Sequence, residues 1–426
     1  MANKKHQVVF IGGGSGTMMG ASQLLRYNKG GKLDVAIIEP SETHYYQPEW
    51  TLVGGGIKSK PSTAKPMKDV LPKAATWIKD YVEDIDPDNN NITLRSGDVI
   101  EYEYLVVAPG VEYRLDLIEG LTEAMGKNGV CSNYMDPDYT WELLQNFKGG
   151  TALYTQPTTQ IKCPGAPQKI MYITADHIRG NGVVKDTNMV FATPGSVVFG
   201  VEPFKSELVR IINDKYDIAQ RYGYKLVKVD GPNKIATYER ADLPEGSNHV
   251  VNDPNNKINE TQNGDRYEIK YDMMHLAPPQ SAPRWFMKTK LANQDGPNVG
   301  WMAVDKFSMQ STKYSNVFGL GDVTDLPTAK TGAGIRKQAP VVVTNILNFI
   351  DGKEISDMKY SGYASCPLVT SKHTMLLAEF GYDGVRMTDP MLPKWLTAKE
   401  RWLMWIMKRY ILGNLYWLLM RRGIRF

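Results

Sequence analysis

The apolar positions open with a short β-branched run, Val8-Val9-Phe10-Ile11, with no polar alternation, so it reads as a strand buried on both faces. Gly12-Gly13-Gly14-Ser15-Gly16-Thr17 interrupts the run. Residues 18–25 follow as a helix, and Val35-Ala36-Ile37-Ile38 repeats the strand signal before the acidic Glu39. Further on, residues 77–82 read as a strand, and 91–95 with 100–104 as a hairpin around Ser96-Gly97-Asp98 that leads into an Ala108-Pro109-Gly110 turn. Two more buried strands are expected at 151–155 and 188–193, with a helix over 170–179 between them and further strands at 225–229 and 267–271. The Asn/Asp/Gly-rich stretch 248–265 reads as a surface loop, and 275–279 returns the chain toward its first domain. Residues 315–322 form a strand ending in Gly321-Asp322, after which Thr331-Gly332-Ala333-Gly334 opens a helix running through Gln338 toward Phe349.

Strand, glycine turn, helix, strand and terminal carboxylate make a dinucleotide-binding βαβ unit. Gly12, Gly14, Ser15 and Gly16 would let backbone N–H groups approach a pyrophosphate at a helix N-terminus, and Glu39 would hold a ribose hydroxyl pair. The third glycine position of the fingerprint holds Thr17, so helix and strand must tolerate a larger side chain there. The segment ending in Gly321-Asp322 resembles the second flavin motif of the two-dinucleotide-binding-domain flavoproteins. Residues 104–110, including Pro109 and Gly110, resemble the strand and turn that return the chain between their domains. That resemblance implies FAD as cofactor, with Asp322 on the ribityl chain. It also implies an α/β fold of two Rossmann-like dinucleotide-binding domains, to which the basic, tryptophan-rich tail adds a C-terminal amphipathic, membrane-associating helical region. The expected boundaries are 1–114 and 278–360 for the two parts of the FAD-binding domain, 115–277 for a second, degenerate nicotinamide domain, and 361–426 for a C-terminal region. In that second domain the turn Thr193-Pro194-Gly195-Ser196 does not fit G-x-G-x-x-G, and Pro194 removes a backbone donor, which argues against NAD(P)H. His44 reads as a loop residue near the adenosine or flavin rather than a catalytic one. Lys330 stands at the entrance of the helix aimed at the flavin, as a flavin contact or a solvated surface lysine.

Composition changes the picture at two points. Apolar content of 42% and charged content of 23% are ordinary for a globular protein, but the net charge of +4 is unevenly placed. Residues 394–426 carry eight Lys/Arg against one Glu, a net +7, leaving −3 for the remainder, so an anionic surface is the expected partner of the tail. Three cysteines, Cys131, Cys163 and Cys366, are too few for a secreted disulfide scaffold. The first strand begins within ten residues of Met1, which points to a bacterial or archaeal chain, or a processed one, without a transit peptide.

Lys162-Cys163-Pro164-Gly165 enters a helix. A thiol there, with Lys162 and Lys169 nearby, should have a depressed pKa. Ser365-Cys366-Pro367 is a second Cys-Pro, expected in a loop. Each cysteine alone is more often a small buried hydrophobe. Two Cys-Pro segments in an FAD protein without a nicotinamide site favour a redox-active pair.

Residues 12–20, 162–172, 318–327 and 362–370 together resemble the sulfide:quinone oxidoreductase family, of the type that includes the mitochondrial enzymes. The resemblance implies oxidation of hydrogen sulfide, transfer of two electrons through FAD to ubiquinone or menaquinone, and release of sulfane sulfur to a small thiol, sulfite or sulfide. It implies a bridge between Cys163 and Cys366, with Cys366 keeping the sulfane sulfur, Cys163 facing the flavin, and Lys169 stabilising anions there. Cys131 matches no family motif and reads as structural. A type II NADH:quinone reductase and a flavin-bearing redox-sensing membrane protein stay as alternatives.

The tail places Trp395, Trp402, Trp405 and Trp417 among basic residues. Its longest charge-free stretch, residues 410–420, is far short of the roughly 20 needed to span a bilayer, so it is expected to lie in the interface, most simply of a bacterial cell membrane. Tyr363, Phe380 and Lys408 are candidates for the quinone site. The body of the fold is expected to place FAD and both cysteines without help from the tail, with Trp402, Trp405 and Leu415 buried in lipid. No metal and no nucleic acid are expected, and self-association into a homo-oligomer stays open.

Overall fold

The first βαβ unit forms as its pattern requires. The computed structural model describes residues 4–389 and 392–425. β1 (Lys4–Ile11) lies between β2 (Val35–Ile38) and β3 (Val99–Val107), parallel to both, which is why its second half is uniformly apolar. α1 (Ser15–Tyr27) crosses from β1 to β2. Thr17 is fully buried and its hydroxyl has no partner among the described residues. The tight approach falls instead at Gly20, where a Cβ would stand 3.1 Å from the Phe10 ring.

The outer edge of β3 is shared. Its first residues pair antiparallel with Asn91–Leu94, and its last pair parallel with β7 (Val317–Gly319). The run read as one strand over 77–82 is two, Thr76–Ile78 beside β2 and Val82–Asp86 beside Asn91–Leu94, at opposite ends of the sheet. Asp80 breaks the run, its carboxylate accepting from the backbone N–H of Tyr81 (2.6 Å).

A second sheet runs Val130–Cys131, β6 (Met273–Leu276), β4 (Gly150–Thr155), β5 (Thr187–Thr193) and Ala219–Tyr222, all parallel, with Val250–Val251 antiparallel at the edge. α2 (Ala166–Gly180) is the crossover from β4 to β5. The strands expected at 225–229 and 267–271 stand apart, in a four-stranded antiparallel sheet. Within the stretch read as a surface loop, Asp253 and Glu260 turn inward onto buried Arg221 at 2.7 and 2.5 Å. The two crossings between the sheets run side by side, Glu112–Tyr113 pairing with Gln280–Ser281.

α3 (Gly332–Ile350) packs on α1. The chain then forms a hairpin of β8 (Ala364–Val369) and β9 (Met375–Phe380) against α2. Cys366 is therefore on a strand and not in a loop. Pro367 is tolerated because a two-stranded hairpin has an edge that needs no N–H donor. The tail is helical in pieces: α4 (Lys394–Thr397), α5 (Trp402–Ile406), a π turn over Met407–Leu412 and α6 (Gly413–Leu418). No helix among the described residues is long and apolar enough to cross a membrane.

Candidate active site

One cavity of about 750 Å³ collects nearly every residue singled out from the sequence. Gly12, Gly14, Ser15, Gly16 and Glu39 reach it from the first βαβ unit. Pro109 and Gly110 reach it from the turn after β3, Gly321 and Asp322 from the turn after β7, and Lys330 from the approach to α3. Glu39 accepts from the backbone N–H groups of Gly13 (2.5 Å) and Ser41 (2.6 Å); burial raises its pKa and these two bonds oppose the rise. Thr331 caps α3 by accepting from Gly334 N–H at 3.1 Å, and Gly332 and Ala333 in the first turn line the cavity. Lys330 is buried, donating to the Thr324 carbonyl at 2.6 Å and lying 4.0 Å from the Trp301 ring centre; burial pushes it down to about 8. It is not a solvated surface lysine.

This lining fits FAD. The glycine turn sits at a helix N-terminus, the acidic residue follows β2, and Asp322 lines the same space. Asn133, on the same wall, buries a carboxamide with no partner among the described residues, a polar group left for a ligand.

The sulfur wall is built at the start of α2. Side chains of a helix lean toward its N-terminus, so Lys169 reaches back over the first turn and its Nζ meets Cys163 Sγ at 3.1 Å. Tyr134 Oη donates to the carbonyls of Lys162 (3.1 Å) and Cys163 (3.2 Å). From β8, the Cys366 thiol hydrogen-bonds to the Cys163 sulfur. Gly165 makes that contact possible, since a Cβ there would lie 2.4 Å from Cys366 Sγ.

The hydrogen bond from Cys366, then the charge of Lys169, hold the Cys163 thiol well below its ordinary pKa despite burial. Cys366 moves the opposite way because its proton is held in that bond and because it is buried. Burial alone would lower the Lys169 pKa, but the two sulfurs outweigh it and raise it. Lys162, expected to help, does not touch Cys163: its ammonium bonds Gln47 Oε1 at 2.6 Å and lies 5.1 Å from the Tyr113 ring centre. Cys131 sits apart with Leu144 and Met273, and burial pushes its thiol up to about 12.

Of the three quinone candidates, two line the cavity. Tyr363 donates to Glu379 Oε1 at 2.6 Å and accepts from Arg336 at 3.1 Å. Lys408 is buried, donates to the Pro48 carbonyl at 2.9 Å, and is pushed down to about 8 by burial and then by the charge of Lys169. Phe380 does not line it. Neighbours along a strand face opposite sides, so Glu379 faces the cavity and Phe380 packs on Phe199, ring centres 6.0 Å apart.

The tail supplies more of this cavity than its composition implied. Leu412, Leu415 and Tyr416 line it beside Lys408. Trp405, expected in lipid, is 3% exposed and packs against Leu52, Ile173 and Leu377, whereas Trp402 is 63% exposed. Arg421 donates to the Asp69 carbonyl (2.5 Å) and Arg425 to Thr344 Oγ1 (3.1 Å), so part of the +7 charge is directed at the protein. A body that places its cofactor site without the tail is thus not what the chain builds. Tyr416 escapes notice in the sequence, because its partners Ser15 and His44 lie 401 and 372 residues away.

After β5, residues 195–202 run through bends rather than a glycine turn into a helix.

A profile of the pyridine nucleotide-disulphide oxidoreductases matches residues 6–143. The chain is 39% identical over 420 residues to the mitochondrial sulfide:quinone oxidoreductase of Dictyostelium discoideum, covering 98% of this chain and 86% of that one. It is 37% identical to the Mus musculus protein of the same name, with 99% and 88% covered. The solved sulfide:quinone oxidoreductase of Aquifex aeolicus shares the fold, with a TM-score of 0.76 at 21% identity, covering 99% of this chain and 92% of that one. With these two relatives named as mitochondrial, the expectation of a bacterial cell membrane loses its support.

Proposed function

This chain belongs to the sulfide:quinone oxidoreductase family, an FAD-dependent enzyme that oxidises sulfide and reduces quinone, and we propose the following roles for its residues. Gly12, Gly14, Ser15 and Gly16 hold the FAD pyrophosphate, Glu39 the adenosine ribose and Asp322 the ribityl chain, with Pro109, Gly110 and Lys330 closing the ring end. Bound there, FAD supplies the two-electron relay between the sulfur pair and quinone.

The observation that carries the sulfur assignment is the Cys163–Lys169 contact at 3.1 Å on the cavity wall, with Cys366 bonded behind it. In the oxidised enzyme the two sulfurs form a bridge. Hydrosulfide attacks the Cys366 sulfur, a new S–S bond forms, the bridge breaks, and the electron pair leaves on Cys163 as thiolate. Cys163 is the better leaving group because Lys169 remains protonated beside it. A small thiol, sulfite or sulfide then takes the terminal sulfur from Cys366, and loss of two electrons from the pair regenerates the bridge. Lys408 and Tyr363 receive the quinone, Lys408 through its carbonyl.

The exposed apolar face of the tail, Trp402, Leu403, Tyr410, Ile411 and Leu418, supports docking in a membrane interface, and the relatives' names point to a mitochondrial one. Anaerobic sulfide titration of the purified protein tests the sulfur assignment. Wild type and Cys131→Ser should lose flavin absorbance stoichiometrically, and Cys163→Ser should not. Bleaching in Cys163→Ser at the wild-type rate would overturn it.

A further inference from the structure

We propose that Tyr416 is a positioning residue for FAD: the tail, through this hydroxyl, holds the phosphate-binding loop in its binding shape. Tyr416 Oη lies 2.7 Å from Ser15 Oγ and 2.6 Å from His44 Nε2, and His44 Nδ1 lies 3.1 Å from the Gly13 carbonyl. Gly13 and Ser15 flank Gly14, the N-cap of α1, so the two contacts grip the loop on both sides of its central glycine.

One proton arrangement satisfies all three contacts. Burial lowers the His44 pKa and keeps the ring neutral. Its Nδ1–H donates to Gly13, its Nε2 accepts from Tyr416, and the tyrosine oxygen accepts from Ser15. The loop has need of such a hold. Gly14 offers α1 no side-chain cap, and a Cβ placed on it would find no atom within 4 Å, so the loop faces open cavity.

Tyr416 is itself fixed. Its ring centre is 4.3 Å from that of Tyr46. Beyond it the tail is fastened to α1, Ser22 donating to the Arg421 carbonyl (2.9 Å) and Arg26 to that of Arg422 (2.8 Å). The helix that follows the loop is therefore tied to the tail at the clamp and again beyond it. By linkage, whatever orders the tail tightens FAD, and FAD in turn orders the tail.

The inference rests on assigning residues 12–16 to FAD, and the experiment separates the two. FAD release from diluted full-length holoenzyme is followed by flavin fluorescence. Tyr416→Phe should release FAD about ten-fold faster, the loss of one or two neutral hydrogen bonds. Ser15→Ala should behave similarly, and the double variant should be no faster than the faster single. Tyr410→Phe, an exposed tyrosine on the same helical stretch, should match wild type. A merely structural loosening would instead multiply the two single effects, and that result overturns the clamp. So does wild-type release from Tyr416→Phe while Gly14→Val sheds FAD. If Gly14→Val also keeps FAD at the wild-type rate, the loop assignment itself falls.

Discussion

The cavity has a sulfur wall and a tail wall, and each contributes one buried lysine. Burial pushes both toward the neutral form, yet they end on opposite sides of their ordinary value. Lys169 has an anionic partner, Cys163 at 3.1 Å, and stays charged. Lys408 donates to a backbone carbonyl; its burial and the charge of Lys169 outweigh its anionic neighbours Glu49 and Cys163, and it drops to about 8. The contrast suits each wall to a different task. A lysine locked in a thiolate pair is a fixed charge that stabilises sulfur anions. A lysine near its titration point can still give its proton or its hydrogen bond to an incoming carbonyl.

The two walls separate most sharply at the cysteines. Cys163→Ser and Cys366→Ser should each lower sulfide-driven quinone reduction by roughly four orders of magnitude, as loss of a covalent nucleophile does, and Cys131→Ser should keep most of it. Steady-state assays with a soluble quinone decide this, and equal losses at all three would make the sulfur wall structural.

Next comes the division within the tail. Trp405→Ala should cost about 3–5 kcal/mol of stability through a core cavity. Trp402→Ala should stay within about 0.5 kcal/mol but weaken vesicle co-sedimentation. Chemical denaturation and liposome pelleting read the two separately.

Lys169→Met should raise the Cys163 pKa. Because the wild-type value is depressed, its thiolate persists to lower pH than the variant's, so alkylation of Cys163 near pH 6 should be roughly 10- to 100-fold faster in wild type than in the variant. Alkylation rates that agree at pH 6 would remove the ion pair.

The mildest change concerns Lys408. Its proton is held below about pH 8 and lost above, so the quinone KM should rise several-fold as pH passes 8. Lys408→Arg, charged throughout, should flatten that rise. A wild-type KM that is level across the range would release Lys408 from the quinone.

The sulfur wall is partly legible in the sequence. Cys163 and Lys169 are six residues apart at one helix start, and helix geometry brings them together. Cys366 can be named there but not placed, because it comes from a hairpin strand that reads as a loop. Lys162 misleads for a related reason, since nearness along the chain does not say which way a side chain points. Phe380 fails on strand alternation, for which the register has to be known. The tail wall shows in the sequence only as composition, and composition cannot tell Trp402 from Trp405.

Local pattern is enough to specify the first βαβ unit, the glycine turn with Glu39, and the Gly321-Asp322 motif. These depend on apolar period and backbone permissiveness, each complete within about thirty residues. It takes the folded chain to bring Tyr416 to Ser15 and His44, to carry Lys408 into the cavity, and to make one face of the tail core and the other exposed. Those contacts join residues some 360 to 400 positions apart. An amphipathic helix presents the same pattern to a protein core as to a lipid surface, so only the packing of α5 and α6 on the body settles which face each residue serves.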